Sequence, residues 1–347
     1  MKVNHKLFAF LLLFCIPLFT SCEISEIQRI NMPVSEAESA TDAETTAPPP
    51  AERFTVMFEE NEAFSTETKR RAAERIDPAI RKAAALMNTL GDESILISDC
   101  DYDARPKARD SLKDPHSIEI YDHVLAKVSA FEDYCFYEKD YPGEDLFNLF
   151  VSATDALRID HTELFLYSDG KIDGSEYRAG YFMPGDWLNK PCDDRNAIRA
   201  EVDLCNAVVE RILDKMPDGL SNYEKCCYFT FVLAAANEYD YSEDIFLYDY
   251  QAYAAFVKGK AICSGYAQAF YRLCREAGIS CWYCRGTTPE GRHAWNMLDT
   301  DESVLYVDVT WYDTDKIAED YRDGKEQYLF MTQEDFDYYG YEQESCQ

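Results

Sequence analysis

The C-terminal part of the chain holds three residues of the types that acyl transfer needs, Cys263, His293 and Asp308. Cys263 lies in Gly259-Lys260-Ala261-Ile262-Cys263-Ser264-Gly265-Tyr266. Apolar residues follow at helical spacing, Tyr266, Ala269, Phe270, Leu273 and Ala277, and Gly278 ends the pattern as a C-cap would. The spacing predicts a helix that starts at or beside Cys263. Unpaired N–H groups and the dipole at a helix N-terminus favour a thiolate, and they offer donors to a developing oxyanion. A packed structural thiol fits the same position equally well, so the cysteine alone decides nothing.

His293 adds weight, because the chain has five histidines and none of the others lies beyond residue 161. It opens His293-Ala294-Trp295-Asn296-Met297-Leu298. Asp299-Thr300-Asp301-Glu302 follows, then Val304-Leu305-Tyr306-Val307-Asp308-Val309, a β-hairpin pattern. A turn centred between Thr300 and Asp301, with no bulge, would set His293 directly opposite Asp308 on one face. An aspartate there accepts from the imidazole and fixes its tautomer. Taken alone, the pair also fits a half-buried histidine held by an aspartate for structure.

The elements that would position these residues form an α+β pattern. Ile198, Val202, Cys205, Val209 and Ile212 give an amphipathic helix over 196–213. Ser221 and Glu224 form a capping box that opens another through Ala235. The Cys263 helix and three strands complete a C-terminal domain over 195–347. The region 53–194 reads as a mixed α/β accessory region. It has helices over 66–90, with Pro78 an interruption and Gly91 a stop, and over 118–128. Strands over 164–167 and 177–182 flank the turn signal Ser168-Asp169-Gly170. There is no internal repeat.

Three segments, in order, resemble the transglutaminase-like superfamily. Tyr253 with Gly259 to Ala267 is similar to its cysteine segment, and Gly278-Ile279 stands where that family enters its next strand. Gly286 with His293-Ala294-Trp295-Asn296, and Val307-Asp308-Val309-Thr310-Trp311, are similar to its histidine and aspartate segments. The resemblance covers roughly 195–347, and nothing in 53–194 adds to it. It implies a papain-like core, a cysteine-bearing helix packed on an antiparallel sheet, with Cys263 as nucleophile, His293 as base and Asp308 as orienter. It implies attack on an amide or peptide carbonyl, resolved by water in a peptidase or amidase, or by an amine in a cross-linking enzyme. No cofactor or metal is implied. The side-chain donor that such enzymes add to the oxyanion hole is not evident here. Tyr253 is the candidate, against a simple role in core packing.

The N-terminus reads as an address. Lys2, His5 and Lys6 precede an apolar run from Leu7 to Phe19, and Thr20-Ser21-Cys22 closes it, the order of a secretory signal over 1–22. Its end is similar to a bacterial lipoprotein box, with Phe19 where a leucine is usual, so Cys22 is the expected lipidation site; the alternative is a plain cleaved signal. Residues 23–52 are acidic and end in Ala47-Pro48-Pro49-Pro50; they read as a disordered linker. The expected location is the outer face of a bacterial cell membrane. There the partners would be that membrane, through Cys22, and a protein or peptide substrate, which could be associated with the cell wall. A formal charge of −31 repels phosphate backbones, so nucleic acid is not an expected partner.

The 13 cysteines include Cys15 and Cys22 of the signal. An odd number remains, so at least one mature thiol has no partner within the chain. Two other chemistries read poorly. Asp99-x-Asp101-x-Asp103 invites a calcium loop, but Ala104 stands at its sixth position, Pro106 falls inside and Asp110 ends it. Cys281-x-x-Cys284 sits in a strand-like segment that would point the two thiols to opposite faces. A surface binding module that keeps the fold without turnover remains the alternative to an enzyme.

Overall fold

Among the described residues, six helices of 14 residues or more bury apolar side chains, and four of them open on a side-chain cap. In the structure, a computed structural model, the residues described are 67–90, 95–105, 107–164, 166–169, 176–181, 194–242, 250–313 and 325–346. The signal, Cys22 and the linker lie outside them. Among the described residues no helix is long and apolar enough to cross a membrane.

Helices α1 (Glu67–Met87), α4 (Arg195–Asp214) and α5 (Asn222–Ala236) pack together. Pro78 does not interrupt α1. Ile76, Ala79, Ile80 and Ala83 are buried on both sides of it, and packing of that face outweighs the one lost backbone hydrogen bond. Beside Pro78, Asp77 accepts both Nε and Nη2 of the buried Arg211 on α4, at 2.7 and 2.8 Å, a bidentate tie between the two helices. The Ser221–Glu224 capping box opens α5 as its sequence predicts.

Helices α2 (Pro115–Ser129) and α3 (Leu146–Asp160) are capped by Asp114 and Asp145. They accompany a three-stranded antiparallel sheet, β1 (Tyr134–Tyr137), β2 (Leu166–Asp169) and β3 (Glu176–Tyr181), in the order β1-β3-β2. Ser168 and Asp169 pair within β2 rather than turning; Gly170 lies outside the described residues. The accessory region therefore has its own sheet, yet α1 belongs with the helices after residue 194.

A parallel bridge, β4 (Glu238–Tyr239) with β5 (Lys260–Ala261), leads into α6 (Cys263–Glu276). The second sheet is antiparallel, in the order β8-β7-β6-β9. Its strands are β6 (Cys281–Thr288), β7 (Gly291–Asp299), β8 (Val304–Val307) and β9 (Glu342–Cys346). Short helices α7 (Val309–Asp313) and α8 (Gln333–Tyr338) complete the described elements.

This sheet is apolar on both faces. Cys281, Tyr283, Ala294 and Leu298 join the main core with α6. Cys284 and Trp295 point the other way, into a smaller core with Tyr306, Tyr328, Met331, Phe336 and Tyr341. That alternation is why β7 is buried almost continuously. Mixed helices with antiparallel sheets bear out the α+β expectation.

Candidate active site

Helix α6 presents Cys263 at its first position. Unlike α2 to α5, it has no side-chain cap, because its N-cap is Ile262. Its first intrahelical bond runs from Tyr266 N–H to Ile262 C=O. The N–H groups of the first turn are thus left without helical acceptors, around a half-buried thiol.

The approach to this end is braced from several sides. Residues 254–258 make a π-helical turn that ends on Gly259, whose φ of +74° suits glycine. The Arg75 guanidinium of α1 donates to Ala236 C=O at 2.7 Å, to Ala255 C=O at 3.1 Å and to Phe256 C=O. Burial lowers its pKa to about 10, still charged at neutral pH. Ser264 Oγ donates to Tyr250 C=O at 2.7 Å. Asn296 on β7, fully buried, donates from Nδ2 to Ala267 C=O of α6 at 3.0 Å and to Trp282 C=O of β6 at 3.1 Å. One amide thereby fixes helix to sheet.

His293 and Asp308 meet, by a different register from the expected one. The pairs run Asn296↔Val307, Met297↔Tyr306, Leu298↔Leu305 and Asp299↔Val304. The turn is Thr300–Ser303, closed by Thr300 N–H to Ser303 C=O at 2.9 Å and Ser303 N–H to Thr300 Oγ1 at 2.9 Å. This side-chain-capped turn moves the hairpin centre by one residue and the register by two. Asp308 falls just beyond β8. A shift of two preserves the face, so the carboxylate reaches His293 diagonally. His293 Nε2 is 2.6 Å from Asp308 Oδ2. The ring's other nitrogen, Nδ1, is not used in this bond, and Cys263 is among the groups that raise the imidazole.

The carboxylate is fully buried and held on both oxygens. Trp311 N–H donates to Oδ1 at 3.0 Å, and Tyr341 O–H donates to Oδ2 at 2.7 Å. Around the imidazole, Trp311 stands with ring centroids 5.0 Å away, and Trp295 and Tyr341 at 6.2 Å. Burial by itself lowers the His293 pKa. The Asp308 charge and hydrogen bond, and then Cys263, outweigh it and hold the imidazole up to about 10. At neutral pH the ring is therefore an imidazolium.

Tyr253 is not brought to this site. It precedes the π-helical turn, is 2% exposed, and its hydroxyl donates to Glu201 Oε2 on α4 at 2.9 Å. Burial first, then the charges of Cys263, Tyr241 and Asp308, push the phenol of the half-buried Tyr239 up. Its signal in the sequence is indirect: Tyr239 pairs with Ala261, two residues before Cys263.

The other motifs serve structural contacts. Asp101 Oδ1 accepts from Asp103 and Ala104 N–H at 3.1 and 3.3 Å, and Asp99 accepts from Asn222 Nδ2 at 2.9 Å. Cys281 and Cys284 do point to opposite faces. Cys284 forms a disulfide with Cys346 on β9, and Cys281 lies against Cys274.

Residues 218–316 match the family model of the transglutaminase-like superfamily. No curated protein matches the chain.

Proposed function

We propose that this chain, which carries a transglutaminase-like domain over residues 218–316, is an exported thiol enzyme that attacks amide or peptide carbonyls through Cys263. The observation that carries the reading is the 2.6 Å bond between His293 Nε2 and Asp308 Oδ2, which leaves Nδ1 for the thiol of an uncapped helix end.

In this reading the proton of Cys263 already rests on the His293 imidazolium, and the thiolate of that ion pair attacks the carbonyl carbon. The C–S bond forms as the carbonyl electrons move onto oxygen, where the first-turn N–H groups of α6 are the donors and Tyr239, paired with Ala261, is the side-chain candidate. The tetrahedral intermediate collapses, the C–N bond breaks, and His293 Nδ1–H protonates the departing amine. Asp308 orients the ring and stabilises the imidazolium. Water then releases an acid, or a second amine releases a new amide, with His293 taking the proton of whichever attacks. The substrate class is protein or peptide. Cys22 would be lipidated and would tether the enzyme on the outer face of the membrane through residues 23–52.

The test uses the mature chain with a peptide library, with and without a primary amine, products being identified by mass. Wild type should give hydrolysed or amine-bearing peptides, and Cys263→Ala neither. Activity that survives Cys263→Ala would overturn the reading. Binding of a peptide without any acyl-enzyme would put a non-catalytic surface module in its place.

A further inference from the structure

The family match ends at residue 316, but the contacts on Asp308 do not. Tyr341, just before β9, is 4% exposed, and its hydroxyl donates to the same carboxylate oxygen that His293 meets. Its ring packs against Trp295, Trp311 and Phe336, with centroids 5.1, 5.2 and 4.8 Å away. A buried tyrosine aimed at a buried aspartate is more than packing, because its O–H and the imidazole N–H draw on one oxygen's charge.

Strand β9 is what delivers it. Thr287↔Glu342, Gly286↔Gln343, Arg285↔Ser345 and Cys284↔Cys346 are paired, with an irregularity between Arg285 and Gly286. A Cβ on Gly286 would stand 1.9 Å from Glu342 O and 2.8 Å from Trp295 Cη2. Only glycine lets β9 lie this close beneath the indole. At the far end the Cys284–Cys346 disulfide closes the pair. The strand's own sequence, Glu342-Gln343-Glu344-Ser345-Cys346, has no apolar face to hold it there. Glycine, disulfide and the Tyr341 ring do so instead.

We propose that β9 is a clamp and Tyr341 a positioning residue: its hydroxyl locks Asp308 so that Oδ2 faces His293, and it moderates the charge that the imidazole feels. With Trp311 N–H on Oδ1 and Tyr341 on Oδ2, the carboxylate cannot rotate. This rests on the reading of Cys263, His293 and Asp308 as the acyl-transfer group. Burial pushes the phenols of Tyr341 and Tyr239 up, so both stay protonated at neutral pH.

The experiment needs no substrate. Alkylation of Cys263 in the mature chain by iodoacetamide is followed at neutral pH with peptide mapping, beside the NMR resonance of the His293 Nε2–H proton. Tyr341→Phe keeps the ring and removes the donor. It should slow alkylation about 3- to 10-fold, move the resonance downfield as Asp308 becomes a stronger acceptor, and leave folding intact. In an Asp308→Asn background it should change the rate less than about 2-fold, since coupled residues do not add. Cys346→Ser keeps Tyr341 but loosens β9, and should show a smaller slowing with the resonance broadened; it carries the test if Tyr341→Phe fails to fold. Wild-type rate and resonance in both variants would overturn the clamp. A separate control, His293→Ala, tests the underlying reading: if it leaves the alkylation rate unchanged, the acyl-transfer assignment itself falls. If His293→Ala slows alkylation but neither other variant does, only the clamp falls.

Discussion

Helix α6 carries a cysteine near each end, and the two live in opposite surroundings. Cys263 opens the helix, half-buried, beside an imidazolium and unpaired N–H groups. Cys274 lies three turns on, fully buried against the thiols of Cys226 and Cys281. Burial first, then those two thiols, push its pKa well above the ordinary. Residue type and helix are shared. What differs is whether burial meets a positive partner. A desolvated thiol without one is a small hydrophobe; a thiol beside His293 is, in the proposed function, the nucleophile.

The widest gap between the two ends should be in alkylation. At neutral pH, iodoacetamide with peptide mapping should label Cys263 more than about 10³-fold faster than Cys274, whose labelling must wait for local unfolding. Comparable rates would erase the contrast and leave Cys263 an ordinary thiol.

Asp308→Asn should come next. Its Oδ1 can still accept from Trp311 N–H. Its amide nitrogen, however, would point at the two donors that now meet Oδ2. His293 must then accept at Nε2, which makes it a neutral ring with one proton on Nδ1, so no imidazolium remains to hold the thiolate in the proposed ion pair. A loss in kcat on the order of 10² to 10³ follows, about 2.7 to 4 kcal/mol in the barrier. The pH dependence has a definite sign. The folded His293 pKa of about 10 lies above the ordinary value near 6.5. The stability contributed by the imidazolium is full below about pH 6.5 and is lost as pH rises towards 10. Thermal melts from pH 6 to 10 should show this decline in wild type, and a flatter profile in Asp308→Asn. Full activity in the variant would make Asp308 structural.

The sequence carried much of this, unevenly. The helix at Cys263, the Ser221–Glu224 box and the hairpin through Trp295 and Leu305 follow from local spacing and composition. The hairpin's register does not, because it depends on Thr300 Oγ1 capping a four-residue turn. Pro78 reads as a break, and it is the burial of Ile76 and Ile80, in a helix packed on α5 and α4, that carries α1 through it. Tyr253 is near Cys263 in sequence but turned to Glu201, while Tyr239 arrives through the parallel bridge β4–β5. Strand β9 is the least legible element. Its residues have no strand pattern, and its place is set by Gly286, Cys284 and Tyr341, all distant or flanking.

The smallest effect belongs to the far end of α6. Cys274→Ala removes one sulfur from a site with no exposure, so it loses about one methylene's worth of transfer free energy plus a small cavity. The weak S–H contacts to Cys226 and Cys281 add little, because both remaining thiols are buried small hydrophobes that need no acceptor. A cost of about 1 to 2 kcal/mol follows, a few degrees in melting temperature for a chain of this size. Turnover should not change. Eleven residues of helix put Cys274 about 16 Å from Cys263 along the axis, far enough for independent effects. Thermal melts and Cys263 alkylation rates on the same sample check both halves. If Cys274→Ala also slowed Cys263, the two ends of α6 would be mechanically linked, and burial at one end would be part of how the other is held in place.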